Sequence, residues 1–204
     1  MTFSFVPSAL SATMVALACL ATTAQAQAPA NGSVALPAAA HNAASVTAPQ
    51  VVAHYAHLVH SNYGDTLAAA YPNVNRITGD LNAMTFPEPL DVVFMGQEYH
   101  DFVIPRFNVD VAKMNTQVFA ALKPGGLYVI LDHQAAPGAG TSVVGTLHRI
   151  EASALRAQVE AAGFIFDGET NVVANPEDDH SLSVFDDKVK GKTDQFVYRF
   201  RKPA

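Results

Sequence analysis

Four short clusters hold the residues with chemistry in them: Tyr99-His100-Asp101, Asp132-His133, His148-Arg149 and Asp178-Asp179-His180. A histidine beside a carboxylate is a pairing that takes a proton near neutral pH, because the imidazole accepts it while the carboxylate orients the ring and favours the imidazolium. His100 or His133 is therefore expected as a general base, oriented by Asp101 or Asp132, with Tyr99 in the same catalytic group. A purely structural role is the competing expectation: both aspartates satisfy backbone amides at strand-to-helix turns, and the histidines are partly buried and hydrogen-bonded. His148 and Arg149 precede a helical pattern, and Arg149 either holds a substrate carboxylate or pairs with Glu151. Asp178-Asp179-His180 follows Pro176 in a loop long enough to fold over a cleft. His100, Asp101, His133, His148 and His180 would supply enough donors for zinc or another transition metal. None has a tight H-x-x-x-H spacing, so the sequence favours proton transfer over a metal.

The elements that would position these clusters follow from hydrophobic periodicity. From about residue 70, short β-branched apolar runs alternate with helical patterns, which signals parallel strands joined by crossover helices. Strands are expected at Asn75 to Gly79, ending in Asp80, at Leu90 to Met95 and at Leu127 to Leu131, ending in Asp132-His133. The second and third runs are apolar but for Asp91, as strands covered on both faces are. Val111, Asn115, Val118 and Phe119 recur at helical spacing between them, and Pro124-Gly125-Gly126 then turns the chain back. Ala152 to Ala162 is a second amphipathic helix with Gly163 as its C-cap. Phe164-Ile165-Phe166 leads one late strand and Gln195 to Phe200 forms another; with no crossover helix evident between them, they are expected to pair antiparallel. Side chains at the C-terminal ends of parallel strands face the ligand crevice, which brings 99–101 and 132–133 together.

The chain has 204 residues, half of them hydrophobic and 15% charged, with a net charge of −6. That suits one domain with a real core and excludes general disorder. Lys188, Lys190 and Lys192 alternate with Asp186, Asp187 and Asp194 in a solvated pattern, so no basic face for nucleic acid is present. The apolar run Met14 to Leu20 leads into Ala24-Gln25-Ala26, a signal-peptide pattern cleaved after Ala26 and too short for a stable membrane span. Residues 1–26 are thus expected to be a signal peptide, 27–50 an irregular linker and 51–204 the folded domain of an exported, periplasmic protein. Lipidation of Cys19, the sole cysteine, is the alternative. His54, His57 and His60, at spacing three, read as a helical histidine face on the surface or in packing.

Three ordered segments resemble class I S-adenosylmethionine-dependent methyltransferases: Gly79-Asp80 followed by Pro87 to Val93, then Ala121 to Leu127 with its Leu-Lys-Pro-Gly-Gly turn, then the C-terminal strand pair. A narrower resemblance, to predicted exported bacterial methyltransferases, covers residues 70–203 and rests on Tyr99-His100-Asp101, Leu131-Asp132-His133, Thr146 to Ile150, Asn175 to His180 and Lys192 to Phe196. The resemblance implies a Rossmann-like α/β fold, mostly parallel with an antiparallel C-terminal strand. It implies S-adenosylmethionine as cofactor, an unidentified small-molecule acceptor, cofactor contacts at Asp80, Leu81, Gly96 and Gln97, and substrate contacts at Asp132, His148 and Arg149. A methyl acceptor must shed a proton, which is the task the His–Asp clusters suit.

One family feature is missing from the sequence. The methionine end of the cofactor is cradled by a glycine-rich turn after the first strand, where a side chain would block close backbone approach. Before Gly96 the only glycines are Gly32, Gly64 and Gly79, and the sole G-x-G is Gly138-Ala139-Gly140. If Gly32 to Pro37 matches the second strand, the first strand is absent, and no ribose-binding carboxylate follows in Pro37 to Ala40. The alternative expectation is a noncatalytic periplasmic small-molecule-binding protein that keeps the sheet and cleft.

Overall fold

The computed structural model describes residues 51–56, 69 and 74–204. The signal peptide, the linker and the proposed Gly32 to Pro37 strand lie outside the described residues. So does most of the stretch between 57 and 73.

Strand β1 (Val51–Ala56) pairs in parallel with β2 (Val74–Thr78). The sequence reading had no strand at 51–56, and His54 lies within this strand, so a helical histidine face does not begin there; His57 and His60 lie outside the described residues. A four-stranded sheet follows, in the order β3 (Leu90–Gly96), β4 (Leu122–His133), β6 (Gln195–Arg201), β5 (Ile165–Thr170). β3 and β4 are parallel, and β6 runs antiparallel to both β4 and β5. Three strands thus share one direction and the C-terminal strand opposes them, inserted between β4 and β5 and not at the sheet edge.

The crossover from β3 to β4 passes through a short helix α1 (Tyr99–Phe102), a 3₁₀ turn at Pro105–Phe107 and helix α2 (Val111–Ala121). Asp110 caps α2, accepting from the Lys113 amide at 3.0 Å, which satisfies one of the donors a helix start leaves open. Met114 and Val118, one helical turn apart, bury against the sheet residues Leu90, Val93, Tyr128 and Ile130. The expected turn at Pro124-Gly125-Gly126 is real. Gly125 takes φ 77, and a Cβ on Gly126 would come within 2.8 Å of the Lys123 carbonyl, so the crossover closes there only with glycine. β4 nevertheless begins earlier than expected, at Leu122, with a register shift opposite Leu90 to Val92.

After β4 the chain forms a short helix α3 (Val144–Leu147) and then α4 (Ala152–Glu160), which buries Ala152, Leu155 and Val159. α4 is capped by Ala161, two residues before Gly163. Gly163 takes φ 102, and a Cβ there would meet the Phe119 ring at 3.2 Å. Among the described residues no helix is long and apolar enough to cross a membrane.

Candidate functional site

β3 and β4 end side by side. Gly96 is in register with Leu131, and the Gln97 amide donates to the Leu131 carbonyl at 2.7 Å. Gln97 then adopts φ 60, a left-handed turn that throws the chain into α1 above the ends of the strands. His100 comes from that helix and Asp132 from the end of β4. The Asp132 carboxylate, fully buried, accepts from His100 Nδ1 at 2.6 Å, from the His100 amide at 2.9 Å and from the His133 amide at 2.7 Å. Bonding at Nδ1 fixes the ring and directs Nε2 away from Asp132, toward Asp101 Oδ1 at 3.4 Å. The same Asp101 oxygen lies 2.7 Å from His148 Nδ1.

Carboxylates and imidazoles alternate from Asp132 through His100 and Asp101 to His148. Burial presses His100 toward neutrality, yet the charge and hydrogen bond of Asp132, with Asp101 beyond, raise its pKa above the usual 6.5. Burial opposes ionisation of Asp101, but the His148 hydrogen bond and the charges of His100, His148 and Arg106 hold its carboxyl below the usual range. His133 has the opposite environment: burial, reinforced by the His100 and Arg149 charges, lowers it to about 4 against the pull of Asp132. Its Nδ1 is bonded to Thr193 Oγ1 at 2.8 Å. The His100 ring contacts those of His133 and His148 edge-on, with centroids 5.8 and 5.5 Å apart.

The residues after β5 fold back as a strap over this site. Arg149, fully buried, pairs with Asp178 at 2.9 Å and donates to the Leu182 and Gln134 carbonyls. Its partner is Asp178 and not Glu151, whose carboxylate instead accepts from the Gly140 amide. Asp178 also receives the His180 and Asp194 amides, and His180 Nε2 bonds Asp194 at 2.9 Å. The Val184 amide donates to the Leu147 carbonyl, and the Phe185 ring rests edge-on against His148 with centroids 4.8 Å apart.

Of the expected catalytic residues, His100 and Asp101 meet directly and His133 flanks them. Tyr99 separates from the group: it is fully buried in the core, its hydroxyl accepts from Asn115 Nδ2 at 2.7 Å, and burial raises its pKa. Of the expected substrate contacts, His148 joins the cluster. Asp132 faces protein donors alone and so positions His100, while the guanidinium of Arg149 is spent on the strap. Of the expected cofactor contacts, Asp80 is exposed after β2 and accepts from the Asn82 amide at 2.8 Å. The Leu81 side chain is in the core. Gly96 is buried at the strand end, and the Gln97 side chain donates to Gln195 Oε1 at 2.9 Å.

Glu98 is the residue that sequence reasoning missed. It precedes α1, and burial, followed by the charges of Asp101 and Asp132, raises its carboxyl to about 8. Its position between the strand end and Tyr99-His100-Asp101 was the available signal.

No protein-family model and no curated protein matches the sequence. Solved structures do resemble it. The N-methyltransferase NodS from Bradyrhizobium japonicum WM9 superposes with a TM-score of 0.52 at 10% identity, over 74% of this chain and 72% of NodS. Weaker likenesses are to NodS with S-adenosyl-L-homocysteine (0.48, 12% identity, 69% of this chain and 60% of that one) and to an S-adenosylmethionine-dependent methyltransferase from Mesorhizobium loti (0.46, 14%, 69% and 76%). The superposition on NodS shows a Rossmann-like α/β fold.

Proposed function

We propose that the chain is an exported S-adenosylmethionine-dependent methyltransferase acting on a small molecule, and that the His100–Asp132 pair receives the proton the acceptor gives up. The observation that carries this reading is a buried imidazole at the ends of two parallel strands of a methyltransferase fold, with Nδ1 held 2.6 Å from a buried carboxylate. Open α/β sheets bind ligands at that edge.

The residues at the strand ends fit the adenosine part of the cofactor. Asp80 presents an exposed carboxylate just after β2, the kind of acceptor an exocyclic amine needs. Gly96 ends β3 without a side chain to obstruct approach. Leu81 would offer only its backbone, since its side chain is in the core, and Gln97, tied to Gln195, would shape the turn. S-adenosylmethionine, when bound, supplies an electrophilic methyl group on a sulfonium. The chain's own residues supply the proton path. An acceptor O–H or N–H set against His100 Nε2 passes its proton there, and Asp132 on Nδ1 stabilises the resulting imidazolium. Asp101 adds a second negative charge, and His148 keeps that carboxylate in place.

Calorimetric titration of the protein with S-adenosylmethionine tests the cofactor; saturable heat is expected, and no heat at millimolar concentration rejects it. His100→Gln is expected to bind the cofactor as the parent does while release of S-adenosylhomocysteine with a turned-over acceptor slows by ~10²–10⁴-fold. Equal turnover would reject the base. N-terminal sequencing of periplasmic protein is expected to begin at Gln27; Met1 at the amino terminus would overturn export.

A further inference from the structure

We propose that His100, Asp101 and His148 together bind one divalent first-row transition-metal ion. One ligand atom from each residue lies within 4.8 Å of the others, and Asp101 Oδ1 faces both His100 Nε2 and His148 Nδ1. Tetrahedral coordination at bonds of ~2.0–2.1 Å places ligand atoms about 3.3 Å apart. The His100–Asp101 separation of 3.4 Å already matches, and the His148–Asp101 separation of 2.7 Å has to open by about half an ångström to admit an ion. Two imidazoles and one carboxylate are a donor set that zinc and iron(II) both accept, with further positions left for water or a ligand.

The surroundings support an ion as well as the three donors do. Histidine ligands are usually held by a second hydrogen bond from the ring nitrogen that does not bind metal, most often to a carboxylate or carbonyl. Asp132 makes that bond to His100 Nδ1, and being wholly buried it has no other exposure to serve. His148 adopts φ 54, an unfavourable conformation for a histidine, and holds Nδ1 toward Asp101 in doing so. The chain thus carries backbone strain at the residue that completes the donor set. Asp101, with its side chain 29% exposed, is the way in. The strap cation Arg149 is committed to Asp178 and does not neutralise these carboxylates.

The sequence argued against a metal because none of the candidate donors has a tight H-x-x-x-H spacing. The structure removes that objection: the donors come from α1 and from the residue after α3, 47 positions apart. The proposal goes beyond the methyl-transfer reading. An ion on His100 Nε2 occupies the lone pair that the base role uses, so the loaded and empty sites are alternative states. The test below involves neither cofactor nor acceptor, so either reading can fail without the other.

The experiment titrates the chelator-stripped protein with Zn²⁺ by calorimetry and with Co²⁺ by visible absorption. One equivalent is expected to bind with Kd on the order of micromolar or tighter, and Co²⁺ to show the d–d bands of a low-coordinate nitrogen–oxygen site. Asp101→Asn and His148→Ala are expected to weaken binding at least ~100-fold, and Asp132→Asn by ~10–100-fold as the outer partner. His180→Gln, in the strap, is expected to bind as the parent does. Asp101→Asn conserves side-chain size at a partly exposed position, so its fold, checked by circular dichroism, keeps the result interpretable if His148→Ala unfolds. No binding at millimolar metal overturns the proposal, as does undiminished affinity in Asp101→Asn.

Discussion

His100–Asp132 and His180–Asp194 are built from the same two functional groups at similar distances, 2.6 and 2.9 Å, but they differ in what surrounds them. In the first pair both side chains are buried, at 3% and 0% exposure, and the far nitrogen of the ring faces a second carboxylate that is shared with a second histidine. In the second pair the side chains are 19% and 18% exposed, and Asp194 spends its other oxygen on the Asn175 amide. Solvent screens the loop pair, so it acts as a fastening for the strap. Burial leaves the inner pair unscreened, so charge on one member is felt by all. The proposed chemistry is therefore assigned to the pair whose imidazole faces a further carboxylate.

The largest effect that separates the two pairs is expected from Asp132→Ala. It strands three donors, the His100 ring and two amides, in a dry site, and a loss of roughly 4–5 kcal/mol in urea unfolding is expected. Asp194→Ala, by contrast, gives up bonds that water replaces. Arg149→Met comes next: it leaves Asp178 without its buried cation, at a cost of ~3–4 kcal/mol, with proteolysis expected to cut first within 171–194. If both variants lose the same amount as Asp194→Ala, the distinction between inner site and strap fails.

Much of this was legible in the sequence where a local pattern determines the structure. Leu90 to Met95 is an apolar run interrupted only by Asp91, as a covered strand is, Lys123 to Gly126 contains a turn that needs glycine, and Gln195 to Phe200 alternates as a strand must. The meeting of 99–101 with 132–133 was legible too, because parallel strands place their ends together. β1 was not: the spacing of three between His54, His57 and His60 imitates a helix, and a six-residue strand is stabilised by its partner more than by its own composition. The Arg149–Asp178 pair joins residues 29 positions apart, with α4 and β5 between them, and no periodicity encodes which carboxylate a distant loop will deliver. Glu98 was missed because its carboxyl is unusual only through its burial near Asp101 and Asp132.

The pH dependence of stability sharpens the same comparison with a smaller effect. Glu98 keeps its proton up to about 8 in the folded chain but loses it near 4.5 when unfolded. The folded state therefore binds more protons across that window, and stability falls as pH rises through it. His133 works in the other direction: unfolded it takes a proton near 6.5, folded it refuses one until about 4, so stability falls as pH drops between those values. The two slopes oppose each other between 4.5 and 6.5. Glu98→Gln, which mimics the protonated carboxyl, is expected to match the parent near pH 4.5 and to exceed it by on the order of 2 kcal/mol at pH 8. Guanidinium unfolding at both pH values reads this.

The smallest effect belongs to the loop pair. His180→Gln keeps a donor for Asp194 at a partly exposed position, so a loss below ~1 kcal/mol is expected, along with unchanged metal binding. That near-silence is informative because His180 adopts φ 62, the same left-handed strain seen at His148. If strain alone marked a working histidine, the two substitutions would behave alike. Metal titration of His180→Gln beside His148→Gln decides it: weakened binding in the second alone assigns the role to the buried partners, and equal weakening in both would dissolve the division between site and strap.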